Sequence, residues 1–301
     1  MTALAPVLLA AAWLQAPQAP TFATDVEGVY LDVFVTHDGR PVTGLAEQDF
    51  ELRVDGRRRA LELVAVESLP LRAFVVLDTS GSVNGEKLAQ LQAGLLELLR
   101  GLRPGDEAAL VTFDHEVVVR VPPTGDVARL ERGVREIRPQ GSTALYDAIY
   151  AATLLATGRG RPLLVAFSDG EDNLSWLDAP QLVRALEESN VLVQVVGSVP
   201  PETPIPTQSR VRPQPPPEPS YVRTLRRLAE VTGGQLWPAA TPERLAKAFP
   251  AILEAMRTRY VLRFEPETPR RPGAHTIDVR LVHRAGKVHS RRAYFVGPVS
   301  R

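Results

Sequence analysis

The chain has 301 residues, 44% of them hydrophobic and 23% charged, enough for one large or two modest domains around a substantial core. Lys plus Arg and Asp plus Glu are equal at 35 each, so no net charge favours nucleic acid or an anionic membrane surface as partner. Cysteine is absent, which excludes disulfides, thiolate metal centres and cysteine nucleophiles.

The chain opens on a short apolar run, Met1 to Leu14, followed by Ala16, Ala19 and Ala23 among Pro, Gln and Thr. An apolar stretch followed by small residues reads as a secretory leader over residues 1–23, although no Lys or Arg precedes it. The alternative is an apolar tail or a misplaced start. Export to an extracytoplasmic compartment, periplasmic or secreted, is therefore expected. No other segment is long and apolar enough to span a bilayer.

Residues 28–66 alternate as β-strands. Val29, Leu31, Val33 and Val35 come first, and His37-Asp38-Gly39-Arg40 turns the chain. Phe50, Leu52 and Val54 follow, and Asp55-Gly56 marks a hairpin before Leu61, Leu63 and Ala65. From residue 72 the pattern changes. Ala73 to Leu77 is a continuous apolar run ending at Asp78, as expected of a strand buried on both faces. Leu88, Leu91, Leu95, Leu98 and Leu99 then fall on one helical face. Strands are expected at Ala108–Phe113 and Val117–Val121, and helices over 126–138 and 144–157. A second buried strand, Leu163 to Phe167, ends at Ser168-Asp169. A helix near 178–189, a strand at Val191–Val196, a helix near 221–231 and a short strand at Gln235–Trp237 complete the alternation.

Residues 199–220 hold nine prolines and read as an extended surface loop. Thr241 caps a helix with Pro242 at its first position, and Pro250 inside it predicts a kink. Tyr260, Leu262 and Phe264, then Ile277, Val279 and Leu281, then Val288 to Phe295 return to β. Strands alternating with helices imply a Rossmann-like, doubly wound, mostly parallel α/β sheet. Each β flank alone has few strands for a core. The expected division is an N-terminal β part over 24–69, the α/β domain over 70–258, and a C-terminal β part over 259–301. The flanks pair into one β-sandwich-like domain that carries the α/β domain as an insertion.

The chemistry gathers where open parallel sheets place their sites, at the carboxyl ends of strands. Asp78-Thr79-Ser80-Gly81-Ser82 follows one buried strand, Asp169 ends another, and Thr143 lies just before a helix. These groups are all hard oxygen donors, a set suited to Mg²⁺, with Mn²⁺ or Ca²⁺ as substitutes. Two carboxylates among so few ligands leave such an ion an open position able to accept a third from another molecule. A lone Asp-x-Ser-x-Ser more often caps a helix; Thr143 and Asp169 tip the reading to metal.

Asp78-x-Ser80-x-Ser82, Thr143 and Asp169 resemble the three-part metal-dependent adhesion motif of von Willebrand factor A and integrin I domains, over about residues 70–258. The resemblance implies that the two serines and the threonine position the ion directly or through water, and that Asp169 acts through water. More narrowly, Gly141 to Ile149, Phe167 to Asn173 and Thr232-Gly-Gly234 are similar to von Willebrand factor A-related exported proteins typical of acidobacterial genomes, as are Val42 to Phe50 and Arg291 to Tyr294 in the flanks. Ser142 and Ala293 stand where those proteins more often carry glycine. The function implied is a binding module that coordinates a cation and, through it, an Asp or Glu of a partner protein.

Other residues are read more plainly. Glu171 and Asp172 are taken as solvated loop charge, Asp114 as a turn residue, and Asp147 as serving its own helix terminus. Trp176 and Trp237 are taken as packing residues, with partner contact as the alternative for Trp176. His37, His115, His275, His283 and His289 show no metal spacing. A structural scaffold with incidental metal is one competing function. A phosphoryl-transfer hydrolase is the other, but such sites need an acid two residues after the first aspartate, where this chain has Ser80. No Gly-x-Ser-x-Gly elbow, phosphate loop or His-Glu zinc motif appears, so the chain is read as no enzyme.

Overall fold

The computed structural model describes residues 28–66, 69–156, 160–169, 171–197, 218–267 and 271–296. The expected leader and most of the proline-rich loop lie outside these residues.

The N-terminal strands are β1 (Val29–His37), β2 (Arg40–Pro41), β3 (Phe50–Val54), β4 (Arg57–Arg59) and β5 (Glu62–Val64). The α/β part follows as β6 (Leu71–Asp78), α1 (Gly85–Arg100), β7 (Glu107–Phe113), β8 (Val117–Thr124), α2 (Val127–Arg135), α3 (Leu145–Leu155), β9 (Arg161–Ser168), α4 (Ala179–Glu188), β10 (Leu192–Gly197), α5 (Ser220–Glu230), β11 (Leu236–Pro238) and α6 (Pro242–Arg257). The chain closes through β12 (Tyr260–Phe264), β13 (Gly273–Leu281), β14 (Lys287–His289) and β15 (Ala293–Val296).

The central sheet has the order β11-β10-β9-β6-β7-β8, parallel except for the edge strand β8, which runs antiparallel to β7 through two register shifts. Helices cover both faces, which explains the unbroken apolar runs. In β6, Ala73, Val75 and Leu77 point into one core with α1, α2 and α6, while Phe74 and Val76 point into another with α3, α4 and α5. The long helices α1 and α6 pack on the same face. A Cβ added to Gly94 would lie 2.6 Å from the Ala246 carbonyl oxygen, so glycine there sets how closely they approach. Thr241 caps α6 as its sequence predicts, and the helix runs on through Pro250.

The two flanks form facing sheets, β14-β1-β12-β5 with β2 beside β1, and β15-β13-β3-β4. Leu31 pairs with Leu262 and Leu52 with Val279 across antiparallel ladders. These residues meet Val33, Val35, Phe50, Phe264 and Ile277 in a third core between the sheets.

Two details differ from the sequence expectation. The Asp55-Gly56 turn leads into β4, made of three arginines, and β5 crosses to the other sheet to pair with β12. The closing β segment is broken between β14 and β15, which belong to different sheets. Both breaks let a short segment cross from one layer of the sandwich to the other, a choice that strand alternation does not encode.

Candidate functional site

Strand β6 delivers Asp78 to the carboxyl edge of the central sheet, and β9, its parallel neighbour, delivers Ser168 and Asp169 beside it. Asp78 is completely buried. Its Oδ1 accepts the Ser80 backbone N–H at 2.9 Å and its Oδ2 accepts the Ser168 hydroxyl at 2.9 Å. Burial pushes its carboxyl above the usual carboxylate range, the bonds from Ser80 and Ser168 oppose this, and the Asp169 charge adds to it.

The remaining groups assemble around Asp78. The Ser80 and Ser82 hydroxyls lie 3.1 Å apart, and Ser82 donates to Asp169 Oδ1 at 2.9 Å. The loop carrying Thr143 is tied to the first by Gln140 N–H to Thr79 C=O at 2.6 Å and Gly81 N–H to Gly141 C=O at 3.3 Å. Gly141 has φ +77°, and a Cβ there would stand 2.7 Å from His115 Nδ1. Glycine is thus required both by conformation and by space. Thr143 is buried, and its backbone exchanges two bonds with Asn173, at 3.1 Å each. Asp78, Ser80, Ser82, Thr143 and Asp169 therefore stand in three loops that are hydrogen-bonded to one another.

Lys87, the third residue of α1, was not singled out from sequence. Its Nζ lies 2.5 Å from Asp169 Oδ2, whose side chain is only 2% exposed. A lysine in the first turn of a helix opposes the helix dipole, and that mismatch was the available signal. Its ammonium is a built-in cation at the mouth of the site. The donor chemistry fits a hard divalent ion: apart from the Lys87 ammonium, the side-chain groups brought together are oxygens, two of them carboxylates. Among the described residues no cluster of three or more His, Cys, Asp or Glu is present, so the hydroxyls are needed to complete any coordination here.

The rim corrects several expectations. Asp172 is a loop organiser: it accepts the Tyr146 N–H, the Ser175 N–H and the Ser175 hydroxyl, at 3.0, 3.2 and 2.6 Å. Asp147 sits in the first turn of α3, but its carboxylate accepts the Trp176 and Leu177 backbone N–H groups at 2.9 and 3.1 Å. Trp176 does not pack; it is 97% exposed. Trp237 does pack, donating its indole N–H to Gln194 at 2.8 Å. Asp114 is a turn residue as expected, accepting the Glu116 N–H at 2.8 Å.

With this geometry in view, residues 74–171 match the family described as von Willebrand factor type A domain. The chain is 31% identical over 134 residues to inter-alpha-trypsin inhibitor heavy chain H4 of Sus scrofa, covering 40% of this chain and 14% of that one. It is 25% identical over 139 residues to heavy chain H2 of Mus musculus, covering 41% and 15%. The chain thus spans about a seventh of the length of these curated relatives. Among solved structures, a von Willebrand factor type A protein from Catenulispora acidiphila aligns with TM-score 0.52 at 13% identity, over 87% of this chain and 76% of that one. Proximal thread matrix protein 1 of the mussel byssus aligns with TM-score 0.50 at 14% identity, over 67% and 49%. The α/β layer has the von Willebrand factor type A fold.

Proposed function

We propose that this von Willebrand factor type A domain is a metal-dependent binding module: Asp78, Ser80, Ser82, Thr143 and Asp169 hold Mg²⁺, with Mn²⁺ or Ca²⁺ as substitutes, and the ion grips an Asp or Glu of a partner protein. The single observation that carries this reading is a buried Asp78 carboxylate, paired with no cation among the described residues, where three mutually bonded loops bring the Asp169 carboxylate and the Ser80 and Ser82 hydroxyls together. Folds of this family commonly serve adhesion and protein interaction.

The bound ion would supply a Lewis-acidic positive charge with a coordination position open to an external carboxylate. The chain's own residues do the rest. Ser168 and the Ser80 amide hold the Asp78 carboxylate in one orientation, so its oxygens need no reorganisation. Ser82 positions Asp169. Lys87 neutralises Asp169 by itself and must give way for the full negative charge to face an ion. The position two residues after Asp78 is a serine where a phosphoryl-transfer site needs an acid, so the reading is binding rather than catalysis. Export of the protein is part of the same proposal and rests on the leader-like residues 1–23.

The test is a pull-down from the envelope fraction of the source organism with the full chain, run in magnesium, in chelator, and with Asp78→Ala in magnesium. Capture in magnesium alone, lost with Asp78→Ala, is expected. Equal capture in magnesium and in chelator would sink the proposal.

A further inference from the structure

The loop after Asp169 is held far more firmly than a solvated turn requires. Asn173 is bonded to Thr143 through its side chain and its backbone N–H. Asp172 ties Ser175 to the start of α3, and Asp147 clamps two consecutive amides, those of Trp176 and Leu177. Asp178 then caps α4. The product of this bracing is an indole that touches almost nothing of its own chain, 97% exposed, with Leu174 46% exposed beside it in sequence. Trp176 lies three residues beyond Asn173, which is bonded to Thr143, so its backbone stands within roughly 11 Å of Asn173 on the loop that leaves the proposed ion site.

The apolar surface does not stop at the loop. Positions 147, 150 and 154 share one face of α3, and Asp147 is the residue that holds Trp176. Tyr150 and Leu154 on that face are both exposed, which extends an apolar stripe about 10 Å along the helix. Large aromatic side chains carried on a braced backbone next to a specific polar contact are what binding hot spots consist of, because they bury a large area with few rotatable bonds.

We propose that Trp176, with Tyr150 and Leu154, forms an apolar anchor beside the ion site, fitting a protein segment in which one Asp or Glu is followed by apolar side chains. This rests on the metal-dependent reading and names the partner chemistry for it. The rim charge selects a polypeptide over a lipid surface. Glu171 is exposed and Asp172 half-buried on the same loop, an acidic rim that repels anionic headgroups. The same rim favours a partner with basic rather than further acidic neighbours around its single carboxylate.

The experiment selects random twelve-residue peptides displayed on phage against the full chain in magnesium, and compares wild type, Trp176→Ser and Tyr150→Ser, with Mn²⁺ binding by each protein measured separately. The expected peptides carry one acid followed by apolar residues. They bind Trp176→Ser roughly 30-fold more weakly, while Mn²⁺ affinity is unchanged. Magnesium-dependent peptides that bind Trp176→Ser and Tyr150→Ser as well as wild type overturn the anchor and leave the metal reading intact. Peptides held equally in magnesium and chelator break the metal reading, and the anchor is then judged by Trp176→Ser alone. An empty selection, or a blue shift of tryptophan fluorescence with phosphatidylglycerol vesicles that Trp176→Ser abolishes, overturns the proposal.

Discussion

The two ends of strand β6, roughly 23 Å apart, hold buried charge of opposite sign and settle it in different ways. At the carboxyl end, Asp169 pairs with Lys87, and among the described residues Asp78 pairs with no cation. At the other end, where β6 begins beside Arg161, two of three buried arginines, Arg161 and Arg259, pair with one carboxylate, and Arg291 feels its charge. Arg161 bonds Asp32 of β1, and Arg259 lies 3.8 Å from the same oxygen. Burial lowers Arg259 to about 10, against the pull of Asp32 and helped by Arg161. It lowers Arg291 to about 10 as well, with Asp32 again opposing. Here the surplus is absorbed by backbone oxygens: Arg259 donates to Gly233 C=O at 2.7 Å, and Arg291 donates to Ser189 C=O at the end of α4 and to Asn190. A carbonyl at a helix C-terminus is a good partner for a cation. The Nε atoms of all three arginines are buried without a hydrogen-bond partner, so the satisfaction is partial. One end is a joint, closed by the protein itself and bridging the α/β layer to the β-sandwich. The other is left short of positive charge, with Ser82 and Lys87 at the surface above it.

The largest expected effect breaks the joint. Asp32→Ala leaves Arg161, Arg259 and Arg291 buried without a carboxylate and should cost about 3–5 kcal/mol, read from the urea midpoint; a loss under about 1 kcal/mol would mean the backbone oxygens suffice. At the opposite end the sign reverses. Asp78→Asn removes a buried charge that has no cation, so the metal-free protein should keep or gain stability. Saturating Mg²⁺ at 100 times Kd should stabilise wild type by about 2.7 kcal/mol and the variant not at all, as thermal unfolding with and without the ion would show.

Lys87→Met sharpens the contrast further. Without its ammonium, Asp169 is unpaired, so the metal-free protein should lose about 1 kcal/mol. The ion no longer competes with an internal cation, so Mg²⁺ affinity by calorimetry should rise roughly tenfold. Unchanged affinity would show that Lys87 is only a surface pair.

The smallest effect lies in the sandwich, away from both ends. His275 is held above the ordinary histidine range by its bond to the Arg271 carbonyl, then by Asp55 at 2.7 Å. A raised folded pKa favours the protonated folded state. This stability is fully present below about pH 6.5 and is lost as pH rises through the folded value. His275→Gln should flatten that part of the stability profile between pH 6 and 9, in a series of urea melts, while leaving Mg²⁺ binding untouched.

Much of the α/β layer was legible because its physics is local. A strand buried on both faces must be apolar throughout, so β6 and β9 announce themselves, and the residues at their carboxyl ends fall where the fold places ligands. Thr241 and Pro242 likewise mark the start of α6 by their own chemistry. The rim was less legible. Asp172 and Asp147 look like ordinary loop and helix-start acids until their partners, residues 146, 175, 176 and 177, are seen in space. Trp176 looks like a core residue because large apolar side chains usually are.

By itself the chain of residues determined the alternation of strands and helices, the α/β class and the three loops of oxygen donors, since each follows from side-chain periodicity and from residue types at strand ends. Only the tertiary structure decided that β5 leaves its hairpin for the opposite sheet, that Lys87 reaches Asp169 across 82 residues, that Arg161 and Arg259 share Asp32, and that Trp176 faces outward. Those outcomes depend on which distant segments become neighbours, and long-range pairing leaves no period in the sequence.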